Sequence, residues 1–228
     1  ELKEVFDLAR RSEEGWTRTK VLGVVLKVCE AMAYAHSKGV VHRDLKPSNV
    51  MVGRFGETYV MDWGLARVVG RRDSHDLRLK PRSEDASALS LVRTVRKDES
   101  TQNPDSPLVT MDGDVIGTPS YMAPEQARGK LEEVGPRSDV YSLGAMLYYM
   151  LTGEAPYVKS GERLSPHTVL SRVLDGPPTP IAKLSPHEPE ELIAIVEKAM
   201  AREAELRYGS MLEVADDIQA YLENRVVR

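Results

Sequence analysis

Apolar residues recur along most of this chain at helical spacing, and the breaks in that rhythm mark everything else. Leu2, Val5, Phe6, Leu8 and Ala9 share one face of residues 1–11, which predicts a short amphipathic helix broken over 12–17. Over 19–37, Val21, Val25, Val28 and Met32 form one stripe, flanked by Leu22, Leu26, Cys29 and Ala33, with Gly39 placed to stop the helix. A helix apolar on nearly every side belongs inside a helical core. The rhythm then shortens. Residues 50–52 and 58–61 read as two short strands around a turn at 53–56. Residues 138–151 are again apolar all round and stop at Gly153, which predicts a second buried helix. Ser165 and Pro166 read as cap and first position of a helix through Leu174, followed by a loop at 176–180. Glu188 and Pro189 open a helix carrying Leu192, Ile195, Val196, Ala199 and Met200. Ser210 with Glu213 reads as a capping box before a last helix with Val214, Ile218, Tyr221 and Leu222 on its face. The class is mainly α with a short β-hairpin, and no internal repeat is visible.

Between Arg67 and about Val109 the pattern fails. Charges alternate in sign, Ser and Thr are scattered between them, and aromatics are few. A stretch of this length without periodicity is either functional or disordered. Residues 89–92 read as one helical turn inside it.

Composition narrows the field. With 228 residues and 41% hydrophobic content, the chain can bury one good core. A formal net charge of −4 leaves no overall positive field to recruit nucleic acid. The single Cys29 sits in an apolar helical run and reads as a buried thiol. No apolar run reaches the roughly 20 residues that span a bilayer. Residues 1–18 are charged throughout, unlike a signal peptide. These features lead us to expect a soluble, cytoplasmic piece with no membrane segment.

The chemistry concentrates in His42-Arg43-Asp44-Leu45-Lys46-Pro47-Ser48-Asn49, with Asp62-Trp63-Gly64 one hairpin downstream. One carboxylate, one ammonium, one amide and a second carboxylate thus fall at the ends of a single hairpin. His-Arg-Asp alone is more often a structural pair than a catalytic one. Lys46, Asn49 and Asp62 at their spacing shift that weight.

This sequence resembles the protein kinases, most closely bacterial protein serine/threonine kinases. The family's catalytic loop is H-R-D-L-x-x-x-N followed by D-F-G, with A-P-E closing the activation segment. Here Trp63 stands where Phe is usual, and Ala123-Pro124-Glu125 matches the closing motif. The resemblance implies a protein-kinase-like fold with residues 1–228 as its large helical C-lobe. It also implies an activation segment at 62–125, enlarged by a flexible insertion over about 67–109. By resemblance, Asp44 accepts the proton of the attacking hydroxyl, Lys46 neutralises the transferring phosphoryl group, and Thr118 is the usual partner of that lysine. Asn49 and Asp62 hold Mg2+ against the phosphates of ATP, and Met51 forms the floor beneath adenine. His42 belongs to the loop signature, and Asp139 is the buried acid that grips the loop backbone. Arg207 pairs with Glu125, and Arg43 binds a phosphate on the activation segment. Thr110 is the first candidate for that phosphate, with Asp112 or Asp114 as a constitutive substitute. The bland alternatives are a surface Lys46, Met51 as core filler and Arg207 as a surface charge.

The departures matter as much. No G-x-G-x-x-G and no V-A-I-K lysine occur, and the sequence starts where the helix after the hinge begins. We therefore expect the larger lobe of a truncated catalytic domain, inactive alone, whose N-lobe comes from the parent protein and whose partner is a protein with a Ser/Thr acceptor. A non-catalytic, pseudokinase-like interaction module is the alternative. A small-molecule phosphotransferase is disfavoured by the 117–125 stretch.

Overall fold

The computed structural model describes residues 1–69, 78–80, 91–93, 119–130 and 132–227. Helix α1 (Leu2–Arg11) buries Leu2, Val5 and Phe6. Helix α2 (Arg18–Ser37) starts where Thr17 Oγ1 accepts the Lys20 amide and buries Val21, Leu22, Val25, Val28, Cys29 and Met32. Strands β1 (Val40–Val41), β2 (Val50–Val52), β3 (Thr58–Val60) and β4 (Arg67–Val68) follow, then β5 (Arg78–Lys80) and β6 (Leu91–Arg93). The second half is helical: α3 (Pro124–Ala127), α4 (Pro136–Thr152), α5 (Pro166–Asp175), α6 (Ile181–Leu184), α7 (Glu190–Ala199) and α8 (Met211–Leu222).

Helix α4 is the axis of the core. Every residue from 138 to 152 is buried, which explains why its sequence carries no polar face. Helix α7 lies across it and α8 packs on α2. A Cβ on Gly144 would sit 2.8 Å from both Ala199 Cβ and Met200 Cγ, so only glycine allows α4 and α7 to approach this closely. A second, smaller cluster of Ala127, Tyr157, Val169, Leu170 and Val173 joins α3 to α5. Among the described residues no helix is long and apolar enough to cross a membrane.

The expected hairpin is β2–β3, in the register Val50↔Val60 and Met51↔Tyr59. Two further antiparallel pairs, β1–β4 and β5–β6, lie beyond what periodicity showed. Arg67 and Val68 pair with Val41 and Val40, so regular pairing runs two residues into the stretch assigned to the insertion. Leu91 and Val92 are extended in β6 rather than helical. The loop read over 176–180 ends at Pro180, which leads into the short α6.

Candidate active site

Three elements converge on the loop between β1 and β2. Helix α4 supplies Asp139, fully buried, whose Oδ2 accepts the His42 amide at 2.9 Å and whose Oδ1 accepts the Arg43 amide at 2.9 Å. His36, in the last turn of α2, reaches the same Oδ2 through Nε2 at 2.8 Å. From α3, Gln126 Nε2 donates to the Arg43 carbonyl at 2.7 Å. These bonds hold Arg43 at φ 69°, a left-handed conformation that a bulky side chain adopts only where its surroundings enforce it.

Asp44, Lys46 and Asn49 form one hydrogen-bonded group. Lys46 Nζ lies 3.2 Å from Asp44 Oδ2, and both side chains are about a tenth exposed, at 9% and 12%. Asn49 Nδ2 donates to Asp44 Oδ2 at 3.0 Å and to the Asp44 carbonyl at 2.8 Å. Burial pushes the Asp44 carboxyl above its ordinary range, against the opposing charge and hydrogen bond of Lys46 and the bond from Asn49. An acid so placed holds a proton more readily than a solvated aspartate, and the ammonium beside it keeps the ionised form accessible.

The Met61 amide donates to the Asn49 carbonyl at 2.8 Å, extending the β2–β3 ladder and bringing Asp62 to the same end of the hairpin. Asp62 is exposed, with φ 58°. His42 Nδ1 accepts the Asp44 amide at 3.2 Å, so Nε2 carries the proton and donates to the Met61 carbonyl at 2.9 Å. One neutral imidazole thereby links the loop to the residue before Asp62. Trp63 meets His42 edge-on, with ring centroids 4.7 Å apart, and its indole N–H donates to the Val60 carbonyl at 2.9 Å.

The donor set suits a hard divalent cation. With both amide hydrogens of Asn49 committed to Asp44, its Oδ1 is left as an oxygen donor, and Asp62 adds a carboxylate. Magnesium binds through one or two such groups together with phosphate oxygens and water. Among the described residues no group of three or more His, Cys, Asp or Glu forms a self-sufficient metal cage.

Of the remaining expected residues, Glu125 and Arg207 form a buried bidentate pair at 2.7 and 2.8 Å. Met51 is 38% exposed and lies in neither core cluster, so the core-filler reading fails. Thr110 and Thr118 lie outside the described residues. The sequence reading missed His36 and Gln126. His36 carries no signal beyond its place in the last turn of α2, whereas Gln126 directly follows Ala-Pro-Glu.

Comparison with known proteins gives a consistent family. A model of the protein kinase domain matches residues 1–87 and 91–218. The chain is 36% identical over 205 residues to the serine/threonine-protein kinase PknD of Protochlamydia amoebophila, covering 90% of this chain and 19% of that protein. It is 37% identical over 224 residues to PknD of Chlamydia trachomatis, covering 97% of this chain and 21% of the relative. Against PknD of Chlamydia pneumoniae the figures are 33% over 228 residues, 97% and 21%. The chain thus spans about a fifth of the length of these relatives.

Proposed function

The chain belongs to the protein kinase family, and from that premise we propose that it carries the phosphotransfer half of a protein serine/threonine kinase. The observation that carries this reading is the single hydrogen-bonded group of Asp44, Lys46 and Asn49, with Asp62 at the same hairpin end. In it Asp44 orients the acceptor hydroxyl and takes its proton, and its raised affinity for protons suits that task. Lys46 holds positive charge beside the carboxylate, where the transferring group gathers negative charge. Asn49 Oδ1 and Asp62 hold the cation. When bound, magnesium–ATP supplies the phosphoryl group and the ion that offsets its charge. Asp139, His36 and Gln126 fix the loop, so little reorganisation is needed at the moment of reaction.

The substrate is a protein with a Ser or Thr acceptor. Residues 62–125 form the activation segment, in which Thr118 partners Lys46 and phosphorylation of Thr110 engages Arg43. Thr110→Ala is expected to lower activity, and an unchanged rate would remove that part. Met51, Tyr59, Met61 and Trp63 leave an apolar strip 38–60% exposed along the hairpin. Such a strip fits adenine and a covering lobe contributed by the parent protein, in the cytoplasm. These 228 residues hold no glycine-rich phosphate loop, so we expect the isolated chain to bind ATP poorly and not to turn over.

The test is transfer of labelled γ-phosphate to serine or threonine by the full-length protein. Asp44→Asn is expected to slow it by about 10^2- to 10^4-fold. Equal rates, or transfer by the isolated chain that Asp44→Asn abolishes, would count respectively against the site and against its dependence on a second lobe.

A further inference from the structure

Trp63 replaces the phenylalanine usual in its family, and the exchange adds one capability: an indole N–H. That N–H closes a short loop back to the carbonyl of Val60, three residues earlier. Inside the loop lie Met61, whose carbonyl accepts the His42 Nε2–H, and Asp62, at φ 58°. A non-glycine residue stays in the left-handed region only where neighbours overdetermine it. Two hydrogen bonds bracket Asp62 here, one from each side, and the His42 ring braces the indole at 4.7 Å. Phenylalanine would keep the ring contact and lose the outer bond.

We propose that Trp63 is a positioning residue that clamps the 60–63 segment and so holds Asp62 at the metal-binding end of the hairpin. The inference rests on the phosphotransfer reading above only for what Asp62 does. The clamp itself is a property of the chain. In that orientation Asp62 is preset before nucleotide arrives, and the segment spends little time turned away from the site. A single hydrogen bond of this kind changes the ratio of clamped to released segment by about 5-fold, within a range of roughly 2- to 12-fold.

Hydrogen exchange on the 228-residue chain and on Trp63→Phe tests the clamp. The chain has two tryptophans, and the indole signal that vanishes in the variant is that of Trp63. Its N–H is expected to exchange about 5-fold more slowly than an unbonded, solvated indole N–H. In Trp63→Phe, amides of residues 61–64 are expected to exchange about 5-fold faster, with α2 and α4 unchanged. A loss confined to that segment is not the signature of general destabilisation. In the full-length protein the same variant raises KM for magnesium–ATP more than it lowers kcat, because saturating ligand draws the released segment back. Unchanged exchange at 61–64, or a fall in kcat with KM unmoved, overturns the proposal. Asp62→Asn separates the two claims. If it abolishes transfer while Trp63→Phe leaves exchange unchanged, only the clamp falls. If it leaves transfer intact, the reading of Asp62 falls too.

Discussion

Replacing Asp139 with asparagine keeps the shape of the side chain while removing its charge and one of its two acceptor oxygens. The carboxylate accepts two backbone amides at 2.9 Å and the His36 ring at 2.8 Å, in a fully buried position. In the variant the amide nitrogen must face one of those donors, so one bond is lost and its donor is left buried. Bonds to a charged acceptor contribute about 1.5–3 kcal/mol each, and an orphaned buried donor costs about 1–3 kcal/mol. The remaining bonds weaken to neutral strength. Relief of the left-handed strain at Arg43 returns about 1 kcal/mol. The net loss is therefore about 3 kcal/mol, a large part of the roughly 5–15 kcal/mol that stabilises a domain. For a chain of this size that lowers the melting midpoint by about 6–12 °C. The assay is urea and thermal denaturation alongside amide exchange at His42 and Arg43, whose protection should fall more than that of the α2 interior. A midpoint shift under about 2 °C with both amides still protected would refute the reasoning.

Other substitutions probe separate links. Arg207→Met strands the Glu125 carboxylate, which loses both charged bonds and keeps the Ser138 hydroxyl at 2.7 Å, and should cost about 3–5 kcal/mol by denaturation; adding Glu125→Gln should recover part of it. Gly144→Ala forces α4 and α7 apart and should cost about 1–3 kcal/mol, read from the urea midpoint. Burial alone would raise the Glu125 carboxyl, but the hydrogen bonds and charge of Arg207, with Ser138, outweigh it and hold it below the usual range. Its contribution to stability is therefore present above the ordinary glutamate range and lost as pH falls through the lowered value. Arg207→Met should flatten that acid limb. Asp44 has the opposite sign: its raised pKa favours the fold at low pH, while transfer requires the ionised form. The rate should thus fall on acidification at a pH above the ordinary aspartate range.

Much of this architecture is legible in the sequence because burial imposes periodicity. Helix α4 buries every residue from 138 to 152, and its unbroken apolar composition says so directly. The caps at Ser165 and Ser210 read equally well, since each hydroxyl accepts the amide expected of it. Only the Glu213 half of the last box differs, its carboxylate taking the Gly209 amide. Strands β1 and β4 were illegible: each is two residues long, too short to alternate. The site was legible as a motif but not as a network. Nothing in sequence spacing tells that the His36 ring and the His42 amide share one oxygen of Asp139, or that Gln126 holds the Arg43 carbonyl. Nor did it show where the indole of Trp63 finds its acceptor.

The most direct test of a shared phosphotransfer site is a double-mutant cycle on kcat in the full-length protein, using Asp44→Asn, Lys46→Met and their combination. Residues 3.2 Å apart that act on one phosphoryl group should be strongly non-additive, leaving the double variant about as slow as Asp44→Asn alone. Losses that simply multiply would contradict the account, because they would mean that the two side chains act independently.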